Sequence, residues 1–487
     1  MTAHPSRRGA IGWLAVLIGA SASHAATRNR QVIDVHDHGA LGDGITLDTG
    51  AIQRAIDAGA AMPGQTRILL RGGHTYLTGP LELKSGIDFH LCDDATLLVS
   101  VRLEDYAGTD AGTLQAAGIS ARGAVLHATG ANQLTISGTG TIDGRSPDFM
   151  ERYDAADEWW IPKGFRPRLL VLEDCENVVL RDVTFRRAPS WTVHLLGCRH
   201  VLIEHLQIRN ALDVPNCDGI DPDHCQDVTI RGCHIVCGDD AIVIKTTAGH
   251  DRYGPSRNIT VSDCVLETQD SGLKIGTETT QDIHDILFER CEIVTACRGL
   301  CIQLRDQGNV HHITFRDIRF VARHHSAPWW GRGEAISFTA IPRLPGKPVG
   351  TIHDIRVENV KGRAENSIRI EGLGGARVRD ITLSRVEVSF ARWTRYPGGV
   401  FDNRPTSSVA PLEPHDTPAI SIRHADNVTL DRCRIQWGAN ASPEFTHAIA
   451  AEDTTGLSTA GFVGAAAHPR RGQAIVITDI QRKGRDR

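Results

Sequence analysis

A short apolar signature recurs along most of this chain, and it limits the possible folds more tightly than anything else in the sequence. It reads VVLRDVTF from 178, VLIEHLQI from 201, VTIRGCHI from 228, ITVSDCVL from 259, ILFERCEI from 286 and ITFRDIRF from 313. It returns as IRVENV from 355, ITLSRVEV from 381 and VTLDRCRI from 428. Apolar and polar residues alternate within each unit, which is the period of a strand buried on one face. The first six starts lie 23, 27, 31, 27 and 27 residues apart, room for one solenoid turn of short strands and tight corners. One turn cannot bury its apolar face alone, so turns must stack and share a core. The expected fold is all-β: a single-stranded, right-handed parallel β-helix with stacked strands about 4.8 Å apart.

The first turn of such a solenoid exposes an apolar edge and needs a cap. Residues 32 to 59, VIDVHDHGALGDGITLDTGAIQRAIDAG, predict a strand, a Gly-rich loop and an amphipathic capping helix. Asp48 is placed to cap that helix, and Ile52, Ala55 and Ile56 form its apolar stripe. No Gly/Ser linker divides the chain, so residues 26–440 read as one β-helix domain and 441–487 as a C-terminal cap or partly mobile tail. Insertions near 143–168, 324–348 and 391–418 interrupt the rhythm and carry the pairs Trp159 with Trp160 and Trp329 with Trp330. Loops on a stiff scaffold are where binding is usually built.

Arg7 and Arg8 precede the apolar run IGWLAVLIGA and the small residues SASHAA, which predicts an export signal over residues 1–25. A periplasmic or extracellular location follows, and the SRRG at 6–9 is compatible with a twin-arginine route. The net charge of -5 gives no basic surface for phosphates, so nucleic acid is not an expected partner, and neither is a membrane. Twelve cysteines in an exported chain raise the question of disulfides. Cys233, Cys264, Cys291 and Cys433 fall at the sixth position of the unit, where others have Val183, Leu206, Ile318 and Val386, so they read as small buried hydrophobes. Cys297 with Cys301, and Cys217 with Cys225, are free of that pattern and are candidates for bridging.

Two acidic stretches stand out: NCDGID at 216–221 and CGDD at 237–240. Asp218 lies 21 residues before Asp239 and 22 before Asp240, close to one turn, so the three carboxylates should be spatial neighbours. Adjacent residues of a strand face opposite ways, and a bend at Gly238 would be needed to aim both Asp239 and Asp240 into one groove. Each dipeptide is also an ordinary turn signal. The shared spacing favours chemistry, because crowded carboxylates cannot all ionise normally and leave a protonated acid beside ionised bases. Such a set can protonate a glycosidic oxygen while activating water.

The stretch from 216 to 246 resembles the polygalacturonase family, glycoside hydrolase family 28, within the pectin-lyase-like β-helix superfamily. The family's motifs are Asn-Thr-Asp followed by Gly-Ile-Asp, Gly-Asp-Asp, Gly-His-Gly and Arg-Ile-Lys. The resemblance implies an inverting hydrolase of pectic polysaccharide in which Asp239 is the general acid and Asp218 and Asp240 position and activate water. It implies no metal or cofactor. This chain departs from the pattern at DSGLKIG, with Ser271 in place of His, and at RGLCIQLRD, with Cys301 and Gln303 at the basic positions.

Asn216, Ser271 and Gln303 are accordingly candidate substrate-binding residues. Lys274, Arg298 and Arg305 lie in the same turns and could grip a carboxylate in place of the missing bases. His194, 24 residues before Asp218, is a candidate for the groove wall, and Trp329 and Trp330 are candidate platforms for sugar faces. The partner expected is a poly- or oligosaccharide bound by a monomer. Two other readings stay open: a calcium-dependent polysaccharide lyase and a non-catalytic carbohydrate-binding β-helix.

Overall fold

The computed structural model describes residues 31–106, 123–439 and 441–478; the predicted signal segment 1–25 lies outside them. All of the repeat starts stand in one register. Val178 pairs with Val201, then in turn with Val228, Ile259, Ile286, Ile313, Ile355, Ile381 and Val428, each strand parallel to the next. A second parallel ladder of shorter strands follows, including Gln207–Arg209, His234–Cys237 and Val265–Thr268. A third runs through Val193–Leu196, Ile220–Asp223, Ile242–Thr246, Ser271–Thr279, Arg298–Leu304 and Glu334–Ala340. The chain is thus a right-handed parallel β-helix with one α-helix among the described residues.

The polar residues of the signature make the corners. The residue just ahead of each start, from Asn177 and His200 to Asp380 and Asn427, has φ between 54 and 59°. The fifth residue of each unit, among them Asp182, His205, Asp263 and Asp317, is also left-handed, with φ between 50 and 67°. Short polar side chains tolerate this conformation better than branched ones, which is why Asp and Asn recur there. Between the corners, inward residues stack on their own kind: the rings of Phe288 and Phe315 lie 4.9 Å apart, and those of Phe315 and Phe338 5.7 Å apart. Each large apolar side chain buried this way contributes about 1.5–3 kcal/mol.

The capping helix spans Thr49–Ala60 and buries Ile52, Ala55 and Ile56 completely. Asp48 stands at its N-cap position, but its carboxylate makes no capping bond. It accepts instead from the backbone N–H groups of Leu41 (2.8 Å) and Gly42 (3.0 Å), tying down the Gly-rich loop. All twelve cysteines are free, so neither suggested bridge forms. Cys297 and Cys301 lie along one extended segment, where four residues span about 13 Å, well beyond disulfide reach. Cys217 and Cys225 flank the strand Ile220–Asp223 and are kept apart in the same way.

The coil does not stop at 440. Ile449–Thr455 pairs parallel with Ile420–Asp431, and Ile475–Thr478 pairs with Ile449–Thr455. The weaker apolar pattern of this tail therefore still closes parallel pairs. Two insertions fold into antiparallel hairpins, Met150–Asp154 with Trp159–Pro162 and Val400–Asp402 with Leu412–Pro414.

Candidate active site

The third ladder and the corners leading into it form the floor of a cleft of about 370 Å³. Asp218 lies just ahead of the strand Ile220–Asp223, and Asp239 and Asp240 lie just ahead of Ile242–Thr246. A bend at Gly238 and Asp239 separates His234–Cys237 from that strand, as the two adjacent aspartates require. Only glycine fits at 238: a Cβ there would sit 2.2 Å from the carbonyl oxygen of Val214. The amide of Gly219 donates to the carbonyl of Asp240, locking one turn onto the next. One oxygen of each of Asp218, Asp239 and Asp240 lies within 4.8 Å of the others. These three would be the oxygen ligands if the site were to hold a cation.

Their surroundings differ. Asp239 is partly exposed; its Oδ1 accepts from the Asp240 amide (2.9 Å), and its Oδ2 from the backbone (3.2 Å) and side-chain (3.5 Å) nitrogens of Asn216. Desolvation, followed by the charges of Asp218 and Asp240, pushes its pKa up to about 7. Asp218 is buried, its Oδ1 without a partner, and desolvation with Asp221 beside it raises its pKa well above the usual carboxylate range. Asp240 is held by a cation: Lys274 Nζ donates to its Oδ2 at 2.6 Å, and the Ser271 amide approaches its Oδ1 at 3.3 Å. A partly exposed acid protonated near neutral pH beside a carboxylate gripped by an ammonium is an arrangement for proton transfer in both directions.

The sequence profile of the glycosyl hydrolases family 28 matches residues 99–396, more than half of the chain. The chain belongs to glycosyl hydrolase family 28. A probable polygalacturonase of Vitis vinifera is 28% identical over 451 residues, covering 84% of this chain and 87% of the relative. The exopolygalacturonase of Thermotoga maritima superposes with a TM-score of 0.63 at 21% identity, over 83% of this chain and 92% of the other. The family 28 exopolygalacturonase of Yersinia enterocolitica gives 0.66 at 19% identity, over 94% and 79%. At these identities the two structures speak for a shared fold.

The cleft of this family 28 hydrolase brings together only part of the predicted set. Asn216, Lys274, Trp329 and Trp330 line it with the three aspartates. Asn216 adopts a left-handed φ of 58°, which projects it at the rim. His194 is completely buried between Arg168 (3.2 Å) and Asp223 (3.3 Å) and does not line the cleft. Ser271 is buried behind the floor and donates to Asp270 Oδ1 at 2.9 Å.

Arg298, Gln303 and Arg305 are also buried, and they anchor the 391–418 insertion rather than facing the cleft. Arg298 reaches Asp270 (3.4 Å) and the Asp402 carboxylate (3.7 Å). Gln303 donates to the Arg404 carbonyl (3.1 Å), and Arg305 to that of Asn403 (3.2 Å). A long insertion folded back over the third ladder covers these side chains, which the repeat register alone could not foresee.

Other lining residues were not singled out from the sequence: Trp191, Lys245, Asp270 and Glu278. Asp270 had a signal, since it lies eleven residues after the unit start Ile259, as Asp239 lies eleven after Val228. Desolvation first, and Asp240 next, raise its pKa to about 8. Buried Asp221, whose carboxylate oxygens lack a hydrogen-bond partner, is raised to about 8 by desolvation. Lys245 stays charged against its burial because Glu278 (3.4 Å) and Asp221 (3.8 Å) flank it, and its Nζ sits 4.8 Å from the Trp191 ring centre.

Proposed function

We propose that this chain is an exported, monomeric hydrolase that cleaves an α-glycosidic bond of a pectic polysaccharide. Asp239 protonates the departing oxygen, while Asp218 and Asp240 position a water and Asp240, held by Lys274, takes its proton. The observation that carries the reading is the asymmetry of the triad: Asp239, open to the cleft and raised to about 7, faces Asp240, which holds the Lys274 ammonium at 2.6 Å. The pectic substrate is supported by the name polygalacturonase carried by relatives such as the Vitis vinifera protein. Ser271, Cys301 and Gln303, standing where the family pattern has His, Arg and Lys, mark a divergent branch.

Inversion is the stereochemistry implied by the family resemblance. Spacing within 4.8 Å favours a second reading, because carboxyl groups in retaining enzymes stand about 5 Å apart and in inverting ones usually about 6.5–9.5 Å. Following the anomeric configuration of the first product by NMR separates the two. A calcium-dependent lyase is less well supported, since Lys274 already occupies Asp240 as its cation.

The decisive experiment is Asp239→Asn with reducing-end release as the readout. A loss of about 10²–10⁴-fold with unchanged circular dichroism is expected for removal of a general acid. A rate equal to that of the parent protein would remove Asp239 from that role.

A further inference from the structure

We infer that the sugar held at the cleaved bond is uncharged at C6, a neutral or esterified residue rather than a free uronate. The inference rests on the hydrolytic reading above and narrows its substrate, departing from the polygalacturonan that the relatives' names suggest. It comes from an account of charge in the cleft. Asp218, Asp239, Asp240, Asp270 and Glu278 line it, against only Lys245 and Lys274. No arginine lines it among the described residues.

Neither lysine is free to receive a substrate carboxylate. Lys274 is 2.6 Å from Asp240 with its side chain 3% exposed, and Lys245 lies between Asp221 and Glu278 with its side chain 5% exposed. The nearby guanidinium groups are already engaged: Arg343 pairs with Asp306 (2.8 Å) and donates to the Thr277 carbonyl (2.6 Å). Arg166 donates to the carbonyls of Pro189 and Pro215 and to the Asn216 side chain, and Arg298 serves Asp270 and Asp402. A further negative charge would meet five carboxyl groups, of which burial first and crowding next already push Asp218, Asp239 and Asp270 toward the protonated form.

The rest of the wall suits an uncharged sugar. Trp159, Trp191, Trp329 and Trp330 are in its lining, together with Pro162 and Pro328. Aromatic faces bind the apolar C–H surface of a pyranose without needing a charge on it. Asp270 adds a further carboxyl group to the floor one turn along from Asp239, with no cation of the cleft left over to offset a substrate charge there.

The test uses the full chain on three forms of one polymer: de-esterified polygalacturonan, its methyl ester, and the carboxyl-reduced galactan made from it. The expected result is a kcat/KM at least tenfold higher on one or both uncharged forms. Preference for the ester alone identifies an esterified uronate, and preference for the reduced chain a neutral hexose. Equal or faster cleavage of the free acid overturns the inference. If no form is cut, the hydrolytic reading fails, and calorimetric binding of the same three polymers still decides the charge preference. Equal or tighter binding of the free acid, or no binding of any form, overturns it.

Discussion

Lys274 Nζ and Asp240 Oδ2 lie 2.6 Å apart, and each side chain is only 3% exposed. The pair bridges two consecutive turns of the coil, since Lys274 stands on the strand stacked against Ile242–Thr246. Removing one partner leaves the other as an uncompensated buried charge, which costs about 3–5 kcal/mol. Lys274→Met should therefore lower the thermal midpoint and abolish hydrolysis together. A Lys274→Met protein with parental stability would show that the pair is not a structural element of the site.

The pH dependence has a worked sign. Asp239, raised to about 7, must be protonated to act as an acid, so the rate should fall as pH rises through about 7. Stability moves the same way. Asp221 and Asp270, raised to about 8, keep protons in the folded state that the unfolded chain has released above its ordinary value near 4. Their contribution is present below pH about 4 and is lost as pH climbs through about 8. Asp270→Asn should flatten that decline in denaturant titrations at pH 6 to 9, and an unchanged slope would contradict the assignment.

Asp402 ties the insertions to the coil. Its carboxylate accepts from the Gly331 amide (2.9 Å) and faces Arg404 (2.7 Å), Arg298 (3.7 Å) and Arg332 (3.8 Å). Its pKa is held below the usual carboxylate range: burial opposes the charge, but Arg404, Arg298 and Arg332 outweigh it. Asp402→Ala frees the loop that carries Trp329 and Trp330 while leaving the stacked ladders intact. Limited proteolysis should then cut within 324–348 or 391–418, with KM raised at least several-fold and the β-sheet circular dichroism preserved.

The cysteines give a chemical test. All twelve are free, and all but Cys92 are buried. Alkylation should label about one thiol in the native protein and all of them in denaturant, with reductant leaving the thermal midpoint unchanged. A midpoint that falls with reductant would reveal disulfides and contradict the free-thiol assignment.

The register of the coil was legible in the sequence because it is a local property. An alternating apolar pattern with a polar residue at each corner fixes which side chains face inward, and every repeat start from Val178 to Val428 stands where that pattern places it. The same counting brought Asp218, Asp239 and Asp240 together, since residues one turn apart must stack. Only the tertiary structure decided what the other polar side chains do. Arg298, Gln303 and Arg305 share the turns of the acids, yet the 391–418 insertion folds over them and takes their hydrogen bonds through Asp402, Asn403 and Arg404. His194 sits one turn before the site and is consumed by Asp223. Repetition along the chain determines stacking. Which stacked charges remain open to a substrate depends on long-range loop packing, for which the sequence has no period.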